Sequence, residues 1–122
     1  MPTVELTSEN FWDIINKPGI VAVDFWASWC GPCRMFGPIF DKSAEANPGI
    51  VHGKVDTEAQ SELAAMSNIT SIPTLMIFRD GILVFNQAGA LPAPALADIL
   101  GKVEDLDMEH VRAEVAKEAE KA

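Results

Sequence analysis

The chain reads as an α/β protein, with a mixed central β-sheet of about five strands flanked by helices on both faces. Three observations predict it. Ile20–Trp26 is almost continuously apolar, as a central strand covered on both sides must be. Strand-like and helix-like stretches alternate from Val4 to Met66, which is the layout of a sheet with packed helices. Thr74–Phe78 and Ile82–Phe85 are joined by Arg79-Asp80-Gly81, and Asp-Gly is a favoured hairpin turn, so an antiparallel pair completes the sheet.

Val4 and Leu6 mark a short first strand. Thr7 is placed to cap the next helix, with Leu6 before the cap and Phe11 at the fourth helical position as a hydrophobic staple. Phe11, Trp12, Ile14 and Ile15 give that helix an apolar face, and Pro18-Gly19 stops it. The second helix is predicted from about Pro32 to about Asn47. Gly37-Pro38 lies inside it, and a proline there removes a hydrogen bond and predicts a kink. Ile50–Asp56 is the third strand, Glu58–Met66 the third helix and Pro92–Gly101 a further helix. Near Gly101 the composition turns charged. Asp107 can cap a last helix along which Met108, Val111 and Val115 recur at spacings of three and four. That stripe is narrow, so the helix is expected only where it packs on the domain or on a neighbouring chain. Two units are expected: a domain over residues 1–103 and an acidic helical tail over 104–122.

With 122 residues, 48% of them hydrophobic, the chain suffices for one packed core. Eighteen acidic and nine basic residues leave a net charge of −9. That balance argues against nucleic acid and anionic membrane as partners, since both call for basic patches. No apolar run approaches the roughly 20 residues that span a bilayer. Met1-Pro2-Thr3-Val4-Glu5 has neither the basic nor the apolar region of an export signal, so a cytoplasmic location is expected.

Cys30 and Cys33, separated by Gly31-Pro32 and preceded by Trp29, follow directly on the apolar strand. Two cysteines at this spacing can close a small disulfide ring without large backbone movement, so the pair can store and release two electrons. A zinc site needs about four ligands; only His52 and His110 remain, far from the pair and from each other, so no metal is expected. A structural bridge of this span would restrain very little chain. A C-x-x-C after a strand reads as a redox motif. A thiolate is the attacking species, and a free cysteine near 8.5 is mostly protonated at neutral pH. The backbone N–H groups at a helix start favour an anion and so acidify Cys30. Pro32 suits a first helical turn, which needs no N–H there.

Val23-Asp24-Phe25-Trp26-Ala27-Ser28-Trp29-Cys30-Gly31-Pro32-Cys33 resembles the active-site stretch of the thioredoxin family, and the resemblance runs from about Thr3 to about Val103. It implies the thioredoxin fold and a dithiol–disulfide oxidoreductase that reduces protein disulfides and contributes to cell redox homeostasis. Cys30 would be the nucleophile at the exposed mouth and Cys33, one turn inside, the resolving residue, the two closing a redox disulfide. Asp24, six residues before Cys30, would accept the Cys33 proton. Alternation alone, which puts Asp24 on one side of its strand with Ala22 and Trp26, favours a solvent-facing residue. A doubly covered strand has no solvent side, however, and the resemblance implies a buried aspartate at this spacing, so the carboxyl is expected to be functional with a raised pKa. Lys54 on the adjacent strand stands where the family has a lysine close to this aspartate, as a modulator.

The same resemblance assigns target binding to Trp29, Gly31, Pro32, Ile72, Pro73, Gly89 and Ala90. Ile72-Pro73-Thr74 matches a family segment with a cis-proline, beside which the backbone of Ile72 can pair with an extended partner strand. Implied partners are a thioredoxin reductase (an NADPH-dependent flavoprotein) and disulfide-containing target proteins. No cofactor of its own is implied, and a monomer is expected. Two features depart from the familiar pattern: Arg34 stands where lysine is common, and the tail beyond Val103 has no counterpart. The alternative reading is a binding or holdase module of the same fold with an incidental dithiol; Asp24 and Ile72-Pro73 beside an intact pair speak against it.

Overall fold

The computed structural model describes residues 2–121, which form five strands and five helices. The elements run β1 (Thr3–Glu5), α1 (Phe11–Ile15), β2 (Ile20–Trp26), α2 (Gly31–Ala46), β3 (Val51–Asp56), α3 (Ser61–Met66), β4 (Thr74–Arg79), β5 (Ile82–Ala88), α4 (Ala93–Glu104) and α5 (Met108–Lys121). The sheet order is β1-β3-β2-β4-β5. β1, β3 and β2 are parallel, whereas β4 is antiparallel to both β2 and β5. This is the mixed five-stranded sheet of the expected fold.

Alternation along β2 separates two cores. Val21, Val23 and Phe25 pack with Phe11 and Ile15 of α1 and Leu63 of α3. Ala22 faces the other way, with Phe36 and Phe40 of α2 and Leu96 and Leu100 of α4. Asp24 shares the side of Ala22, so its carboxyl is directed to the α2 face. Both layers are built from fully enclosed aromatic and aliphatic side chains, each worth roughly 1.5–3 kcal/mol on burial. Gly53 of β3 has no side chain for a reason: a Cβ there would fall inside the side chain of Leu6.

Several helix boundaries differ from the sequence expectation. Thr7 caps the turn that leads into α1 and not α1 itself, whose N-cap is Asn10. The Thr7 hydroxyl accepts from the Glu9 amide at 3.2 Å, the Thr7 amide donates to Asn10 Oδ1 at 2.7 Å and that of Asn10 to the Thr7 carbonyl at 3.3 Å, so residues 7–10 close a turn first. Leu6 and Phe11 nevertheless meet in one core. Asp56 Oδ1 accepts from the amides of Glu58 (2.9 Å) and Ala59 (3.3 Å), which holds that stretch in a turn and delays α3 to Ser61. α2 runs on through Pro38 as one helix. The hairpin turn has Asp80 at φ 53° and Gly81 at φ 81°, the double left-handed conformation that Asp-Gly favours.

α4 extends to Glu104 because Arg79 Nη1 donates to the carbonyls of Val103 (2.8 Å), Glu104 (3.1 Å) and Leu106 (3.0 Å). A cation at a helix C-terminus satisfies orphan carbonyls and opposes the dipole. Asp107 Oδ1 accepts from the amides of Glu109 and His110 at the start of α5. Met108 is buried, yet the helix persists to Lys121 although residues 112–121 are all exposed. Packing is therefore not what sustains its second half. Good helix formers and the pairs Glu114–Lys117 (3.5 Å) and Glu118–Lys121 (3.7 Å) do so locally.

Candidate functional site

β2 ends at Trp26 and α2 starts at Gly31, and the short connection brings Cys30 to the N-cap of α2. Cys30 has extended backbone angles (φ −86°, ψ 116°), and its sulfur accepts a hydrogen bond from the Cys33 amide at 3.2 Å. In the reduced state a thiolate at Cys30 would accept such a bond more strongly than a thiol does. Pro32 occupies the first turn, where its missing N–H has no partner to lose. Cys30 and Cys33 are joined in a disulfide with Cα atoms 5.2 Å apart.

The expected contrast between an exposed Cys30 and an inner Cys33 is not present in this disulfide form. The two residues are 4% and 5% exposed, packed with Ala27 and against Trp26 and Ile72. The Ile72 loop covers the sulfur of Cys30, whose Sγ lies 3.6 Å from the Ile72 carbonyl oxygen. A half-cystine has no S–H to donate, so this is a contact in the oxidised state that becomes a hydrogen bond only in the thiol. The Ile72–Pro73 bond is cis. The Gly89 amide donates to the Pro73 carbonyl at 2.8 Å, which draws Gly89 (φ 104°) and the exposed Ala90 up to this loop. Gly31 and Pro32 are likewise exposed. The structure thus gathers both cysteines, Ile72, Pro73 and Gly89 at one end of the sheet.

Trp29 is 64% exposed at that rim. Its Nε1 donates to Glu58 Oε1 at 2.5 Å, which fixes the indole beside the disulfide. Sequence reasoning missed Glu58; it lies 29 residues from Trp29 in a turn after β3, and no spacing rule links the two. Arg34 Nη1 donates to the Ser28 carbonyl at 3.0 Å, so this departure from the familiar pattern braces the loop before Cys30.

Asp24, in β2 on the α2 side of the sheet, is 1% exposed, and neither carboxylate oxygen has a hydrogen-bond partner. Burial raises its pKa to about 7, with Lys54 pulling it down and Asp41 pushing it up. Lys54 is the partner of Asp24 in the parallel β2–β3 register. Its Nζ lies 3.7 Å from Asp41 Oδ1 and 5.5 Å from the centre of the Trp26 ring. A cavity of about 250 Å³ has Cys33, Trp26, Asp41 and Lys54 in its wall, so Cys33 and the Lys54–Asp41 pair border one space.

His52, given no role from sequence, is fully buried on the α2 face with its ring 5.0 Å from that of Phe40. Nδ1 donates to the Ile50 carbonyl at 3.0 Å, which leaves Nε2 to accept from Ser43 Oγ at 2.9 Å. Burial lowers its pKa, so it is a neutral core residue. Among the described residues no helix is long and apolar enough to cross a membrane.

Comparison with known proteins matches this geometry. A family model described as Thioredoxin covers residues 2–102. A protein named putative thioredoxin 2 from Streptomyces coelicolor is 56% identical over 120 residues, covering 98% of this chain and 90% of that protein. Thioredoxin 1 of Synechococcus elongatus is 48% identical over 91 residues, covering 74% of this chain and 85% of its own. The solved structure of a Plasmodium falciparum thioredoxin superposes with a TM-score of 0.75 at 34% identity, covering 82% of this chain and 98% of that one.

Proposed function

The chain belongs to the thioredoxin family, and on that premise we propose a role for each residue of the site. The protein is a dithiol–disulfide oxidoreductase that reduces protein disulfides through the Cys30/Cys33 pair. Cys30, as thiolate, attacks one sulfur of a target disulfide. The target S–S bond breaks, its other sulfur leaves as a thiolate, and a mixed disulfide joins the target to Cys30. Cys33 then gives its proton to Asp24 and attacks Cys30 Sγ. The mixed bond breaks, the reduced target departs, and Cys30–Cys33 closes. Two electrons have passed to the target.

The observation that carries this reading is the Cys33 amide directed at the Cys30 sulfur, 3.2 Å away at the N-cap of α2. Among the two cysteines, only Cys30 occupies the helix start, so it is the one acidified as nucleophile. Asp24 suits a proton acceptor because its raised pKa, about 7, falls where a base works best near neutral pH. Lys54 modulates that basicity. Trp29, Gly31, Pro32, Ile72, Pro73, Gly89 and Ala90 form the platform for the target, with the Ile72 backbone pairing to an extended segment.

Family membership implies disulfide-bearing targets and usually a thioredoxin reductase; the reading adds an NADPH-dependent flavoprotein of that kind as the source of the two electrons that reopen Cys30–Cys33. It also places the protein in the cytoplasm, as a monomer, with residues 1–103 as the working domain and 104–122 as an accessory tail. Reduction of insulin by dithiothreitol tests it: the wild-type protein should accelerate precipitation of the insulin chains, and a rate no higher than that of Cys30→Ser would overturn the reading.

A further inference from the structure

The charged cluster behind the disulfide holds one carboxylate that the proton transfer does not use. Asp41 lies on α2, two turns beyond Cys33, and its side chain is about half exposed (49%). Its Oδ1 is nevertheless turned inward, sealed from solvent, without a hydrogen-bond donor and 3.7 Å from Lys54 Nζ. Lys54 stands beside Asp24 in register. One ammonium therefore answers to two carboxylates, one wholly buried and one at the cavity wall.

We propose that Asp41 is a positioning residue for target release: by engaging Lys54 Nζ and adding a second negative charge to the cluster, it keeps Asp24 able to take the Cys33 proton. Left alone with Asp24, Lys54 would favour the ionised carboxylate and make it a poorer proton acceptor. Asp41 offsets this twice, by sharing the ammonium and by repelling a like charge. Other charged groups near the cluster are Arg34, which lines the same cavity and is held by the Ser28 carbonyl, and Glu5 and Asp56, which line a neighbouring cavity with Trp26 and Lys54. Glu5 of β1 is also in register with Lys54, on the side away from Asp24. From β4 the residue in register with Asp24 is the uncharged Leu75.

This inference rests on Asp24 as the proton acceptor, so the experiment separates the two. In the full-length disulfide form, the Asp24 carboxyl carbon is titrated by NMR for wild type, Asp41→Asn and Asp41→Glu. The midpoint should fall in Asp41→Asn, by roughly half a pH unit or more, and stay near wild type in Asp41→Glu. The pH profile of target release from the Cys30 mixed disulfide should move in the same direction by a similar amount. An Asp24 midpoint unchanged in Asp41→Asn overturns the role of Asp41, whatever Asp24 does. A profile that Asp24→Asn leaves unaltered removes Asp24 as acceptor, and the inference with it, even if the carbon titration shifts.

Discussion

The sulfur of Cys30 lies 3.6 Å from the carbonyl oxygen of Ile72, 42 residues further along the chain. The first belongs to the β2–α2 connection and the second to the loop entering β4; the antiparallel β2–β4 pairing, with Phe25 opposite Thr74, holds them together. One backbone acceptor is thereby stationed at the Cys30 sulfur. On the proposed function, an extended target strand pairing with Ile72 would bring its own disulfide to Cys30 in the same motion.

Replacing Asp24 by Asn should slow release of the target from the mixed disulfide while leaving the fold intact. It should also stabilise the oxidised protein. The folded pKa of about 7 exceeds the ordinary 3.8, so between those values the native state binds the extra proton and stability falls as pH rises. The contribution is fully present below about 3.8 and gone above about 7. Denaturant unfolding should find Asp24→Asn more stable than wild type at pH 8 and close to it at pH 4. The gain at pH 8 is a few kcal/mol at most, since each tenfold change in proton affinity is worth about 1.4 kcal/mol. Equal stabilities at pH 8, or single-turnover release at the wild-type rate across pH 6–9, would remove Asp24 from the mechanism.

Much of this site was legible in the sequence, and the limits have physical causes. β2 runs from Ile20 to Trp26 as expected, because a strand buried on both faces leaves an unbroken apolar run. α1 and α3 begin later than expected, since the side chains of Asn10 and Asp56 accept backbone amides and hold turns that local patterns cannot separate from a first helical turn. The cysteine pair announces itself by spacing. Glu58 against Trp29 and Asp41 against Lys54 do not, being contacts between different elements that only the assembled sheet and helices create.

The tail divides into two parts with different stakes. Arg79 binds the carbonyls of Glu104 and Leu106 as well as that of Val103, and Met108 is buried, whereas residues 112–121 are exposed. Ending the chain after Arg112 should leave the melting temperature nearly unchanged. Ending it after Val103 should lower stability by about 2–4 kcal/mol, from lost burial and lost acceptors. Both truncations should reduce insulin within about twofold of the full chain, because Arg79 pairs with Ile20, at the end of β2 remote from Cys30. A larger loss of turnover at an unchanged melting temperature would make the tail a docking arm.

Ser43→Ala should destabilise the protein by about 1–2 kcal/mol without affecting turnover. It leaves His52 Nε2 buried with no donor, and the side chain cannot recover the loss by charging in that site. Thermal unfolding at pH 7.5 measures the first effect and insulin reduction the second. A variant as stable as wild type would show that the Ser43–His52 bond contributes nothing.

The division of labour between the two cysteines is tested most directly by trapping. Cys33→Ser and Cys30→Ser are each mixed with a disulfide-bearing protein and the products resolved by non-reducing electrophoresis and mass spectrometry. Cys33→Ser should accumulate a one-to-one mixed disulfide through Cys30, because the resolving thiol is gone, while Cys30→Ser should accumulate little or none. A complex formed equally well through Cys33, or no complex with either variant, would contradict Cys30 as the nucleophile.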